Sequence, residues 1–188
     1  MRIFHRRKNR QSGSSLIEML IAIVVLTVGL IGSMAMVGVA VSGNYRSKTD
    51  STSTALAQMV VQKISAVPVC KAACGAVVSV QVTDCAGNVR TINVTGTPAG
   101  AGAPLTADGK IDYTKATVAN YSMYYKECGV TNGSQATYDV RWNIQTIPSS
   151  TSELVVVGAR LENSANSVNK GSNAPAVTIR TIVGNDGN

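Results

Sequence analysis

The sequence predicts an α+β chain: one long N-terminal transmembrane α-helix packed on a C-terminal antiparallel β-sheet domain. Three observations carry this. Residues 19–41 contain no Asp, Glu, Lys, Arg or His over 23 positions. An apolar stripe with helical spacing follows at Leu56, Met59/Val60, Ile64 and Val67. From residue 77 onward, short alternating β-branched segments are separated by Gly-, Pro- and Asn-rich stretches.

The helix comes first. Its 23 uncharged residues would rise roughly 35 Å, enough to cross a hydrocarbon core of about 30 Å. Glu18 stands at the doorstep of this run, where a carboxylate is costly in a bilayer and needs a partner or an interface. Gly29, Gly32, Gly38 and Gly43 punctuate the helix as bend or packing positions. Residues 44–54 are polar and show no apolar stripe, so a helix there would be solvated or weakly formed. One helix is expected from about Ser15 to about Ala66, with Pro68 ending it.

The β elements follow. Residues 77–82 and 89–94 alternate around Ala86-Gly87-Asn88, a hairpin signal. Residues 96–112 are rich in Gly, Ala and Pro and read as a loop. Residues 121–127 and 137–147 flank the turn pair Asn132-Gly133. Residues 153–161 and 176–183 supply two more strands, with 163–175 a polar loop between them. This amounts to about six strands in one antiparallel sheet, packed on the apolar face between Leu56 and Val67. Trp142 and the tyrosines at 121, 124, 125 and 138 fall in two neighbouring strands and are expected to fill the core.

Charge is lopsided. The formal net charge is +7, but Arg2, Arg6, Arg7, Lys8 and Arg10 all lie in residues 1–13, without an acid. Without them 12 Lys/Arg face 10 Asp/Glu, a net of +2. The basic character belongs to the leader and is no nucleic-acid footprint, so no nucleic acid partner is expected. Basic residues before the span place the N-terminus in the cytoplasm and everything after residue 41 outside it.

The cysteines agree with that side. Cys70, Cys74, Cys85 and Cys128 all follow the span, and four cysteines allow three connectivities of two disulfides. An oxidising compartment favours bridges. The four-residue separation of Cys70 and Cys74 leads to the expectation that each pairs elsewhere, with Cys85 and Cys128. Zinc is the alternative, but the spacing is a weak match, and no metal is expected. The only histidine, His5, lies in the leader. Without it there is no His-based triad, and no phosphate loop or Cys-x-x-Cys motif is present, so no catalytic residue and no cofactor is expected.

The N-terminus resembles the class III signal of type IV prepilins and pseudopilins. The resemblance rests on Gly13, Leu16, Ile17, Glu18, Met19 and Leu20, running on through Ile21-Ala22-Ile23-Val24-Val25-Leu26-Thr27-Val28-Gly29-Leu30-Ile31-Gly32. It implies cleavage by prepilin peptidase between Gly13 and Ser14 and N-methylation of Ser14, where the family usually has Phe. It implies that Glu18 meets the amino terminus of a neighbouring subunit during assembly. The expected divisions are residues 1–13 as leader, 14–43 as transmembrane and assembly helix, 44–67 as its periplasmic continuation and 68–188 as a β-sheet head. The expected partners are prepilin peptidase, other major and minor pilins, the inner-membrane assembly platform, and membrane lipid before assembly.

Strand segments Tyr138-Asp139-Val140-Arg141-Trp142-Asn143-Ile144, Leu154-Val155-Val156-Val157 and Val177-Thr178-Ile179-Arg180-Thr181 are similar to those of PilV-type minor pilins. The function so implied is a minor pilin of a type IV pilus, acting in assembly, initiation or at the fibre tip. The alternatives are a minor pseudopilin of a type II secretion system and a DNA-uptake minor pilin. The implied location is the inner membrane, single-pass with a periplasmic head, and then the fibre or cell surface.

Overall fold

The computed structural model describes residues 15–67, 79–128, 136–162 and 176–184. Residues 1–45 and 46–188 form two compact units. Helix α1 (Leu16–Ser65) contributes its first part to one and its last part to the other.

In the first unit α1 is apolar on every side. Its large side chains are exposed all along, from Leu16 and Ile17 to Val39 and Val41. A helix hydrophobic all round is buried in something else, a core or a membrane. Its two hydroxyls are satisfied locally, which suits lipid. Thr27 Oγ1 donates to the Val24 carbonyl at 2.8 Å and Ser33 Oγ to the Gly29 carbonyl at 2.9 Å.

In the second unit α1 turns amphipathic. Its buried residues are Thr49, Ser53, Leu56, Ala57, Val60 and Ile64. The apolar stripe is therefore where its spacing puts it, but it starts earlier than an apolar count shows. Thr49 and Ser53 continue the same face backwards, so the polar stretch is both helical and packed. Thr49 Oγ1 donates to the Arg46 carbonyl at 2.8 Å, which removes its need for water. The helix closes at Ser65, and Ala66 N–H still reaches the Gln62 carbonyl at 2.9 Å. Pro68 lies outside the described residues.

The strands form two sheets where one was expected. Among the described residues β1 (Ser79–Thr83) and β2 (Val89–Asn93) pair only with each other. β3 (Ala101–Gly102), β4 (Ser122–Lys126), β5 (Thr137–Thr146), β6 (Glu153–Leu161) and β7 (Val177–Val183) form the second sheet. Its order is β3-β5-β6-β7, with β4 also on β5. All its pairings are antiparallel. The split has a plain cause. One edge of β5 is already filled by β4 opposite residues 137–141 and by β3 opposite 143–144. The hairpin meets that edge through single contacts such as Asn93 N–H to the Asn120 carbonyl at 2.9 Å.

Residues 96–112 were expected to be a loop, and they do more. They supply β3, and they lie across the face of the sheet turned away from α1. There Ala103 and Ile111 are buried with Val156, flanked by Leu105, Tyr113 and Leu154. Close approach requires Gly102, whose φ is 111° and whose missing Cβ would strike the Trp142 carbonyl. The opposite face holds the main core. Tyr138, Val140, Trp142 and Ile144 of β5 and Val155, Val157 and Ala159 of β6 pack with Leu56, Val60 and Ile64 of α1 and with Val82 and Ile92 of the hairpin. The aromatic residues divide accordingly: Trp142 and Tyr138 are buried, and Tyr124 is 41% exposed.

The cysteine pairing corrects an expectation. Cys85 is bonded to Cys128, with Cα atoms 5.0 Å apart, instead of each pairing with Cys70 or Cys74. The hairpin turn carrying Cys85 lies against the end of β4, where Cys85 N–H donates to the Lys126 carbonyl at 3.4 Å. Tertiary packing, and not spacing along the chain, thus brings these two together. Cys70 and Cys74 lie outside the described residues.

Candidate functional site

The residues expected to matter most sit where α1 begins. Ser15 precedes the first helical residue, and its carbonyl accepts the Glu18 N–H at 2.9 Å and the Met19 N–H at 3.2 Å. Ser15 is thus the N-cap, and Glu18 occupies the third helical position, in the first turn. A carboxylate there is favoured by the partial positive charge of the unsatisfied N–H groups. Glu18 is exposed. Gly13 and Ser14 lie outside the described residues.

Behind Glu18 the uncharged helix is long and apolar enough to cross a membrane. The glycines at 29, 32, 38 and 43 have nothing within 4 Å of where a Cβ would stand. Each therefore leaves a notch on the helix surface.

The head unit contains a charge cluster that the alternation of residues 138–144 conceals. In a sheet covered on one face, Asp139, Arg141 and Asn143 would point to water. Here residues 96–115 cover them, and all three are buried. Asp139 accepts two hydrogen bonds from Arg141, at 2.8 Å from Nη2 and 2.9 Å from Nε. Arg160 Nη2 reaches the same carboxylate at 3.3 Å. Arg141 Nη1 donates to the Lys115 carbonyl at 2.7 Å, which pins the covering segment. Both guanidiniums lie over the Tyr113 ring, Arg141 at 4.9 Å and Arg160 at 4.2 Å from its centroid. Burial pulls the Arg141 guanidinium down, but the Asp139 hydrogen bonds and charge outweigh this and raise it. Burial first and the Asp139 charge second push the Tyr113 phenol up, out of the working range, so it stays protonated. The sequence signal that could have exposed the cluster is an Asp-x-Arg pair on one strand face beside an arginine on the next strand.

A second carboxylate, Asp84, anchors the hairpin turn. It accepts from the Ala86 N–H at 3.0 Å and the Asn88 N–H at 2.8 Å, and from the Asn88 amide at 2.9 Å. Arg90 stands 3.6 Å away. Burial pushes its carboxyl up, and these hydrogen bonds and the arginine overcome burial and hold it below the usual carboxylate range. Among the described residues no group of three or more His, Cys, Asp and Glu side chains gathers where a metal could sit.

These clusters fit scaffolding of the head: each carboxylate is consumed by donors from its own unit. The chemistry that points outward is at the N-terminus, where a cap, an acid and a bare apolar helix follow one another. Comparison with known proteins places a family motif on that segment. Residues 8–34 match the prokaryotic N-terminal methylation motif. No curated protein and no solved structure matches the chain. The matched segment contains Gly13, Ser14 and Glu18 together with residues 19–34 of the uncharged run. The chain thus carries a prepilin-type methylation motif at the head of a long apolar helix, on an α+β layout that matches the pilin fold, and this supports a type IV pilin-like structural subunit.

Proposed function

We propose that the chain is a minor pilin subunit of a type IV pilus, of the PilV kind. The observation that carries this reading is the methylation motif over residues 8–34, with Gly13 and Glu18 in register before the uncharged helix. The likeness of the strand segments at 138–144, 154–157 and 177–181 to PilV-type pilins supports the subfamily.

In this reading the chain inserts once in the inner membrane, with residues 1–13 in the cytoplasm and the head in the periplasm. Prepilin peptidase cuts after Gly13, and Ser14 becomes the methylated amino terminus. The assembly platform then moves the subunit out of lipid. The apolar helix exchanges lipid for the helices of neighbouring pilins, so its surface is not exposed to water in the process. Glu18 meets a neighbour's amino terminus, because a buried carboxylate is tolerated only when a cation satisfies it.

The test is direct. The chain is expressed with and without prepilin peptidase, and the mature N-terminus is read by mass spectrometry. The expected result is a chain beginning at Ser14 only when the peptidase is present. An uncut leader, or a cut elsewhere, overturns the proposal.

A further inference from the structure

The hairpin of β1 and β2 is fastened to the rest of the head unit at its root and at its tip, and the two fastenings differ in kind. At the root, Asn93 N–H donates to the Asn120 carbonyl at 2.9 Å, and Trp142 Nε1–H donates to the Asn93 carbonyl at 3.0 Å. Ile92 beside them is fully buried in the main core. At the tip the main-chain link is weaker, since Cys85 N–H reaches the Lys126 carbonyl only at 3.4 Å. There the Cys85–Cys128 bridge carries the attachment.

The tip is closed against an opposing tendency. Arg90 stands opposite Val82 in the hairpin, so both side chains share the face turned to the core. Val82 gains from that burial. Arg90 does not: its Nε is buried and has no hydrogen-bond acceptor among the described residues. Asp84 balances the charge from 3.6 Å, but its oxygens are engaged by the Ala86 and Asn88 N–H groups and the Asn88 amide. A buried donor without an acceptor favours any state that admits water. The gain at Val82 and the loss at Arg90 are of the same order, so the covalent bridge decides where the tip sits. Asp84 is satisfied inside its own turn, which lets the tip move as one piece.

The bridge is also open to attack. Cys128 is exposed, whereas Cys85 is half-buried, with its Sγ 4.0 Å from the Tyr125 hydroxyl. An incoming thiolate therefore meets Cys128 Sγ first. Cys85 then leaves as the thiolate, placed to accept from the Tyr125 O–H.

We propose that the Cys85–Cys128 bridge is a redox latch on the hairpin, opened by a dithiol, and that on reduction the tip lifts from the end of β4 while the root at Asn93 holds. In the first step a thiolate of the dithiol bonds to Cys128 Sγ and the Cys85–Cys128 bond breaks. In the second, the other thiolate of the dithiol attacks that mixed disulfide, closes the dithiol's own bridge and releases Cys128. Two electrons pass to the chain, both cysteines end protonated, and the dithiol ends oxidised. Lifting the tip brings water to Arg90 Nε. The latch stands on the head unit alone and goes beyond the assembly reading, so leader cleavage neither supports nor removes it.

The experiment uses the full chain in lipid vesicles, with dithiothreitol as the probe. Alkylation and peptide mass spectrometry follow Cys85 and Cys128, hydrogen exchange is resolved to the amide at position 85, and fluorescence follows the single tryptophan, Trp142. On reduction both cysteines should become alkylated and exchange at position 85 should rise roughly tenfold or more. Trp142 emission should stay that of a buried indole, because the root holds. The double variant Cys85→Ser/Cys128→Ser should show the same rise without dithiothreitol, which assigns the effect to this bridge. Arg90→Met keeps the apolar stem and removes Nε, so it should cancel most of the rise after reduction; a bridge that is only a staple would not respond to this change. A bridge that dithiothreitol leaves intact, exchange at position 85 unchanged after reduction, a rise as large in folded Arg90→Met as in wild type, or a red shift of Trp142 emission overturns the latch. The wild-type and double-variant measurements decide it even where Arg90→Met does not fold.

Discussion

At the scale of single residues, carboxylates do different work in different surroundings. Glu18 is exposed at a helix start and belongs to the outward chemistry of the chain. The proposed pairing with a neighbour's amino terminus predicts that Glu18→Ala leaves cleavage after Gly13 intact while incorporation into pili falls; normal incorporation, read by immunoblot of sheared fibres, would remove the role. Asp84 is inward and structural. Its folded pKa lies below the ordinary 3.8 of a free aspartate. A depressed folded value means stability that is full above the ordinary value and is lost as pH falls through the folded one. Asp112, held down by the Thr114 hydroxyl and N–H, acts in the same direction. Urea midpoints of wild type and Asp84→Asn should therefore differ most near neutrality, and the gap should shrink as pH falls below the ordinary 3.8. A constant gap across that range would mean the carboxylate is not the source. Asp139 differs again, since it neutralises a buried arginine and removing it would leave that charge unpaired.

At the scale of elements, three pieces are fastened at the end of β4. Cys128 binds the hairpin turn through Cys85, and Glu127 binds α1 through Lys48. The ion pair is exposed on the lysine side and contributes little, no more than about 1 kcal/mol. The disulfide closes a loop across a sequence separation of 43 residues and should contribute about 4 kcal/mol through the unfolded chain. Replacing both Cys85 and Cys128 by Ser should lower unfolding free energy by about 2–5 kcal/mol in denaturant titrations. A change within about 0.5 kcal/mol would show that the native packing of the hairpin does not depend on the bridge.

Element boundaries were largely legible. The hairpin around Ala86-Gly87-Asn88, β6 and β7 fall where alternation and turn residues put them, because period-two patterning and Gly-rich turns are local signals. The main core was legible for the same reason, with Trp142 and Tyr138 inside it. What alternation could not show was which face has a second cover. Residues 96–112 look like a loop because Gly and Ala bring little side chain to pack. Those same small residues let the backbone lie flat on β5, and that turns Asp139 and Arg141 from solvent residues into a buried pair.

At the scale of the whole molecule, the two compact units differ in surface, the first being apolar on every side of its helix. Residues 46–188 have a core on both faces of their larger sheet. A fragment beginning at Arg46 should therefore stay soluble without detergent and melt in one cooperative transition followed by circular dichroism; a broad, non-cooperative melt would show that the head depends on the apolar segment. The motif, the uncharged run and the lopsided charge can all be read along the chain, because each depends on residues close together in sequence. The separate hairpin sheet, the Cys85–Cys128 bridge and the covered charge cluster depend on segments tens of residues apart. Those partners are chosen by which edges and faces remain open once the strands have paired, and that choice has no local signature.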